Sequence, residues 1–398
     1  MMTEQEIQAG LQGGLQVLWR SEPLLGSIYD EEEIAAAVTA MREAMDFTRG
    51  FGFSASPIPE FEQAFAKYVG AADAVAVNSC GPGLDMVMRY LNLQPGDEVI
   101  VPACNYIAAA LAVIGAGGQV VLGECDPLYF QLDPADVEKK ISPRTRAIFP
   151  VHFNGLSAPL AEYQACAERH PHPVHGPAKI VADAARACGG SYRGEKIGCG
   201  KHAWATIFSF HTMKNMTTLG EGGMISTDDL ALSAYCRSVR MYGSAAGAWG
   251  TSNVLTKVQA AVGLVQLSKL DRFIAMRRSV AALRTKLLQG LPGLQLPCEP
   301  ADCQHSYYLY TCLVDESLAG PGRDAIMQRM EEEFKVRCVI ANRPIYMGHP
   351  LIARHTAGQR TMQSEALAER IICVPIHPAM SESDNRYICA ALHRCLQA

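Results

Sequence analysis

Between about residue 70 and residue 227, short apolar runs alternate with stretches of helical length, and few folds accommodate that alternation. The runs are Ala74–Val77, Glu98–Val101, Gln119–Leu122, Ala147–Val151, Lys179–Ala182, Ala205–Phe208 and Gly223–Ser226. Segments Gly83–Leu93, Ile107–Ala116, Pro134–Ile141 and Pro159–Arg169 separate the earlier ones. Near-continuous apolar strands need cover on both faces, and intervening helices supply it. The expectation is an α/β fold with a mostly parallel sheet sandwiched by helices. Turn chemistry agrees: Gln94-Pro95-Gly96-Asp97 ends a helix before a strand, and Asp133-Pro134 reads as an N-cap with proline in the first helical position.

Beyond residue 230 the pattern changes. A long helical stretch runs from about Leu255 to Leu291 and stops at Gly290-Leu291-Pro292-Gly293. Strands are expected at Tyr307–Val314 and Val336–Ile340, and helices at Asp324–Phe334 and Ser364–Arg370. That suits a smaller C-terminal α+β domain, and 398 residues can bury more than one core. The expected division is 1–50, a helical segment leaning on the small domain; 51–265, the large domain; and 266–398, the small one.

A net charge of −5 and the absence of any Lys/Arg run argue against a nucleic-acid or anionic-membrane partner. Met1-Met2-Thr3-Glu4-Gln5-Glu6 is acidic where a signal peptide is basic, and Ala108–Gly118 is too short to span a bilayer. A cytoplasmic location is expected. The 14 cysteines have no Cys-x-x-Cys pair, which suits reduced thiols. His170-Pro171-His172-Pro173-Val174-His175 has no acidic or Cys ligand beside it, so it reads as a connector and no metal is expected. Gly115-Ala116-Gly117-Gly118 is followed by a strand, not a helix, and fails as a dinucleotide fingerprint.

Chemistry enters with two residues. Asp183 closes an apolar run, and Lys214 follows another, between Phe208-Ser209-Phe210 and Gly220-Glu221-Gly222-Gly223. A pyridoxal phosphate enzyme needs a lysine for the Schiff base and an aspartate for the pyridinium nitrogen. Asn78-Ser79-Cys80-Gly81-Pro82-Gly83 follows a strand and opens a helix, where unpaired N–H groups can seat a phosphate. Ser209 can add a hydroxyl there, and Tyr106, past a strand end, can lie on the ring. Each feature alone is equally a turn, a cap or a core residue; their combination singles out the cofactor.

In order and spacing these residues resemble the DegT/DnrJ/EryC1/StrS family of sugar and cyclitol aminotransferases. The resemblance runs from about Phe61 to the C-terminal region. It includes Pro95–Pro102, Thr145–His152, Asp183-Ala184-Ala185, Phe208–Gly223, Gln259–Leu264 and Pro375-Ile376-His377-Pro378. It implies a fold-type-I transferase with Lys214 and Asp183 as catalytic residues. Ser79, Cys80, Gly81, Tyr106, Arg186, Ser209 and Asn253 join them around pyridoxal 5'-phosphate and its pyridoxamine form. It also implies a homodimer with shared sites, in which the partner's loop Gly250-Thr251-Ser252-Asn253 reaches the phosphate. The reaction implied is ping-pong transfer through a Lys214 internal aldimine. An amino group passes from L-glutamate or L-glutamine to a nucleotide-linked ketosugar or a cyclitol, in aminosugar or secondary-metabolite (antibiotic) biosynthesis. Arg343, Tyr346, His349 and His377, with Arg360, fall where the family contacts its acceptor. The alternatives are an eliminating or aromatising pyridoxal phosphate enzyme of the same scaffold and a non-catalytic regulator.

The chain departs from the family pattern at Cys80-Gly81, where Gly-Thr is usual, at Ser252-Asn253-Val254, where Asn-aromatic-Arg is usual, and at Arg186, often Gln. A guanidinium at 186 near the cofactor's phenolic oxygen should stabilise the phenolate and disfavour the protonated imine. Arg186→Gln is therefore expected to raise the imine pKa in a spectral titration; an unchanged or lower value refutes it.

Overall fold

The computed structural model describes residues 2–397. Its centre is a seven-stranded sheet. The strands are β1 (Asp73–Val77), β2 (Glu98–Pro102), β3 (Gln119–Gly123), β4 (Thr145–Ile148), β5 (Lys179–Asp183), β6 (Ala205–Ser209) and β7 (Gly223–Thr227). Their spatial order is β1-β7-β6-β5-β4-β2-β3. Strands β2 to β6 run parallel, and β7 is antiparallel to both neighbours. Each expected run is recovered within a few residues. The largest change is at β4, which stops at Ile148 because Val151 bridges Asp183 alone.

Helices before and between the strands are α1 (Glu4–Gln12), α2 (Glu31–Ala44), α3 (Ile58–Val69), α4 (Cys80–Tyr90), α5 (Ala108–Gly115), α6 (Pro134–Lys140), α7 (Leu160–Arg169) and α8 (Leu230–Val239). Alternation along the strands sorts them onto two faces. Val75, Val77 and Val181 pack with α4, α5 and α8, while Ala74 and Ala76 face α3 and Ile180 and Ala182 face α7. Both faces are covered, as strands this apolar require. Asp133 caps α6 as expected, accepting from Ala135 N at 2.9 Å.

Helix α9 (Lys257–Leu288) starts at a capping box of Thr256 and Gln259 and runs for 32 residues. Its first half packs on the large sheet through Ala260, Leu267, Leu270 and Ile274. From Ala281 onward it joins a second core, with Leu287 and Leu288. That core covers a three-stranded antiparallel sheet of β8 (Leu294–Gln295), β9 (Tyr310–Val314) and β10 (Ile371–Val374), with α10 (Pro321–Glu332) and α11 (Glu382–Leu396). The strand expected at Val336–Ile340 is absent. Arg337 bridges Arg20 on one side and Val339 bridges Cys373 on the other, so no ladder builds on either neighbour.

The first fifty residues hold α1 and α2 with a non-helical connector between them. Met2, Ile7 and Trp19 enter the second core, and α2 lies along α9. Between them residues 20–29 form an irregular strap that crosses the loop carrying Lys214. Gly26 N donates to Thr212 O at 2.7 Å, and Thr212 Oγ1 donates to Leu24 O at 2.5 Å. No described helix is long and apolar enough to cross a membrane.

Gly263 lets α9 approach α3: a Cβ there would lie 2.7 Å from Cζ of Phe61, a ring that is fully buried. Gly263→Val is expected to destabilise the protein by about 1–3 kcal/mol through overpacking, read from urea unfolding. An unchanged midpoint would mean the two helices can part freely.

Candidate active site

Ligands of open α/β sheets bind beyond the carboxyl ends of the strands. Four such ends converge here. After β1 come Ser79 and the start of α4, after β2 Asn105 and Tyr106, at the end of β5 Asp183, and after β6 the loop bearing Lys214. Together they line a cavity of about 440 Å³. Of the residues singled out in the sequence, Ser79, Cys80, Gly81, Tyr106, Asp183, Arg186, Ser209 and Lys214 all border it.

Asp183 is the most constrained of these. Its backbone is held on both sides: its N donates to Pro150 O at 2.9 Å, and its O accepts from His152 N at 2.9 Å. Its carboxylate is buried and accepts from Ala185 N at 2.8 Å. Burial pushes its pKa above the ordinary carboxylate value, opposed by the Ala185 N–H and by the Lys214 and Arg186 charges. His152, beneath it and fully buried, is held neutral by desolvation, with a pKa of about 3.

The Lys214 ammonium stands over the Tyr308 ring, 4.8 Å from its centroid, and the Arg186 guanidinium is 5.5 Å from the same ring. Arg186 Nη1 donates to Asn154 Oδ1 at 2.8 Å. Tyr308 comes from the segment leading into β9. It reaches the cavity because Gly155, at φ +109°, lets that segment pass where a Cβ would sit 2.8 Å from Tyr308 N.

At the other end, Ser79 precedes α4 in an extended conformation, and its side chain caps no helix N–H; its Oγ donates to Glu221 Oε2 at 3.2 Å. The first-turn N–H groups are left for an anion. Gly223 permits the approach of β7, since a Cβ there would lie 2.9 Å from Cys80 N. In the wall between, Asn105 Nδ2 is buried with no partner, a donor lacking an acceptor. An uncapped anion seat, a buried carboxylate, an amine and an orphaned donor around one cavity fit pyridoxal phosphate.

Other expected contacts lie elsewhere. Asn253 borders a separate hollow with Trp249 and Arg89, and its O accepts from Asn78 N at 3.0 Å. His377, expected at the acceptor, is buried against Trp19 and bonded to Leu25 O at 3.0 Å; desolvation takes its pKa down to about 4. The Tyr346 hydroxyl is taken by Thr361 and Glu365, and Glu365 also holds Arg360. His349 is outside the cavity lining, as is Arg343, which is exposed beside the Cys104–Pro344 bridge. Conversely, Glu22, Asn105, His211, Glu221 and Tyr308 line the cavity without having been singled out. Glu221 lies in the Gly-rich turn already noted, and Asn105 adjoins Tyr106. Glu22 and Tyr308 carry no local signal.

The profile of the DegT/DnrJ/EryC1/StrS aminotransferase family matches residues 29–393. The spore coat polysaccharide biosynthesis protein SpsC of Bacillus subtilis (strain 168) is 31% identical over 92% of this chain and 93% of its own. A dTDP-3-amino-3,4,6-trideoxy-alpha-D-glucose transaminase of Streptomyces venezuelae is 35% identical over 80% of this chain and 81% of its own. Among solved structures, S. venezuelae DesV in complex with a ketimine intermediate superposes with a TM-score of 0.83 at 31% identity. It covers 92% of this chain and 96% of that one.

The raised pKa of Asp183 has a signed consequence. Folding favours its protonated form, so this group stabilises the ligand-free protein below the unfolded carboxylate pKa and loses that contribution as pH rises through the folded value. Asp183→Asn is expected to gain stability relative to wild type at pH 7, with the gain shrinking toward acid pH, in urea unfolding of ligand-free protein. A gap that widens on acidification contradicts this.

Proposed function

The chain belongs to the DegT/DnrJ/EryC1/StrS aminotransferase family and is a pyridoxal phosphate-dependent aminotransferase, and from that premise we propose that it aminates a sugar ketone. The proposed donor is L-glutamate or L-glutamine. The proposed acceptor is a nucleotide-linked ketosugar, with an inosose-like cyclitol second. The observation that carries this is the meeting of Lys214 and Asp183 in one cavity, at the ends of neighbouring parallel strands.

When bound, the cofactor supplies an electrophilic carbonyl and a ring that accepts electrons. In this reading Lys214 holds it covalently and Asp183 pairs with its ring nitrogen. Ser79, Ser209 and the first-turn N–H groups at Cys80 and Gly81 hold its phosphate, and Tyr106 covers its ring. Freed when the donor amine takes its place, Lys214 Nζ would remove the donor α-proton as base and then, as acid, pass it to the cofactor carbon and not back to the donor. Tyr308 beneath that amine excludes water from one side. Donor and acceptor use the site in turn, which predicts ping-pong kinetics.

The nucleotide-linked acceptor is preferred for two reasons. The Streptomyces venezuelae relative is named for a dTDP-sugar, and Arg343 is an exposed guanidinium, a group that pairs well with a diphosphate. We further propose a homodimer. Phe47, Phe51, Phe53, Tyr242 and Trp249 are all more than half exposed, an unusual aromatic surface. Trp249 also adjoins the loop Gly250–Asn253, the segment expected to serve the partner's phosphate.

Offering a panel of ketosugar nucleotides and inososes to the donor-reduced enzyme tests the acceptor: return of the resting absorbance identifies it. Lys214→Ala is expected to lower kcat by about a thousandfold or more. Borohydride should fix the cofactor on Lys214 in the wild type, and label on another lysine defeats the assignment.

A further inference from the structure

One ion pair in the cavity wall is only half made. Arg186 is nearly buried, with a side chain 10% exposed, and its Nη1 is engaged by Asn154 Oδ1. Asn154 is itself pinned, its Nδ2 donating to Thr311 Oγ1 at 2.7 Å. The guanidinium plane is therefore fixed. Its Nη2 faces Glu22 Oε1 at 3.9 Å, beyond hydrogen-bond reach. Glu22 is 39% exposed and has room to turn outward. Its backbone is fixed on both sides, by Ser21 N to Arg337 O at 3.0 Å and by Gly26 N to Thr212 O at 2.7 Å. Only the side chain has to move.

We propose that Arg186 is the anchor for a carboxylate of the amino donor, and that Glu22 is a resident carboxylate which the donor displaces. This rests on the aminotransferase reading above and assigns a substrate group to that site. A guanidinium fork matches a carboxylate better than any other side chain does. The placement suits an amino acid, whose carboxylate is bonded to the carbon that loses the proton. Arg186 and Lys214 stand over one ring, that of Tyr308. Among the described residues Arg186 is also the single guanidinium lining the cavity, which carries besides it the Lys214 amine, His211 and the acidic groups Glu22, Asp183 and Glu221. An incoming anion meets those charges unless Glu22 swings away. The strap therefore acts in donor binding as well as in holding the Lys214 loop.

The test uses the holoenzyme and glutarate, an unreactive dicarboxylate, with binding followed by calorimetry, alongside KM for L-glutamate and L-glutamine. Arg186→Gln is expected to weaken glutarate by about tenfold or more. Glu22→Gln is expected to tighten it several-fold (about three- to tenfold), because the competing charge is gone. A merely structural role would move both variants in the same direction. Loss of both donors in Arg186→Gln assigns the α-carboxylate, and loss of glutamate alone the γ-carboxylate. Glutarate binding within twofold of wild type in Arg186→Gln, or weaker binding in Glu22→Gln, overturns the proposal, as does wild type that binds no glutarate. If Arg186→Gln does not fold, Glu22→Gln decides alone: tighter binding supports the proposal, and equal or weaker binding overturns it. Failure of the wild type to transaminate with any donor would instead defeat the functional reading, whatever the variants bind.

Discussion

A carboxylate buried at the end of a parallel strand is the constraint on which the rest of this structure depends. Taking Asp183 out of water is unfavourable, and its pKa rises accordingly. What makes the burial tolerable is a frame that leaves the residue no freedom. Its strand is flanked on both sides, its own N–H and C=O are bonded to Pro150 and His152, and Ala184 N donates to Ile207 O. A single backbone N–H, that of Ala185, reaches the carboxylate. The positive charges of Lys214 and Arg186 do the rest from across the cavity. A site prepared in this way favours a ligand that brings a positive charge to Asp183.

Closure of that site comes from chain segments remote in sequence, and one residue gathers them. Arg277, fully buried on α9, has no carboxylate partner among the described residues. Its Nη2 donates to Gly26 O at 2.6 Å, and its Nη1 donates to Tyr307 O at 3.0 Å and Ile376 O at 3.2 Å. Desolvation draws its pKa down to about 10. It thus joins the strap over the Lys214 loop, the segment presenting Tyr308, and the turn containing His377. Further along, Gln266 Nε2 donates to Ile28 O and Lys269 bonds Asp30 and Glu33, which fixes the strap to the start of α2. Gly26 is required for the fit, because a Cβ there would overlap Met213 O at 2.0 Å. The same helix that supports the large sheet therefore positions the lid of the cavity.

Much of the site was legible locally. Asp183 and Lys214 stand out because each comes at or after the end of an apolar run, and an open parallel sheet presents the carboxyl ends of its strands along one edge. Ser79 to Gly81 stand out for the same reason, as a small-residue turn into a helix, and α4 does begin at Cys80. The acceptor residues were a different matter. His377 is spent on Leu25 and Tyr346 on Glu365, bonds to partners far apart in sequence or across a turn. Nothing in their local composition distinguishes a free polar group from one already satisfied. The strand expected at Val336–Ile340 is absent: its apolar pattern is genuine, but its neighbours change from one residue to the next.

The sequence by itself determined the alternation of strand and helix, the two faces of the sheet, the cap of α6 and the chemistry-bearing ends of β1, β2, β5 and β6. Those arise from short-range sterics and from side-chain periods of 2 and 3.6, which act within a dozen residues. Only the tertiary structure decided that Glu22, Tyr308 and Arg186 share one cavity. Their meeting depends on strand order, on the crossing of the strap, and on glycines at 26 and 155 that let backbones pass. Contacts of that kind are set by how whole layers pack, and no local pattern encodes them.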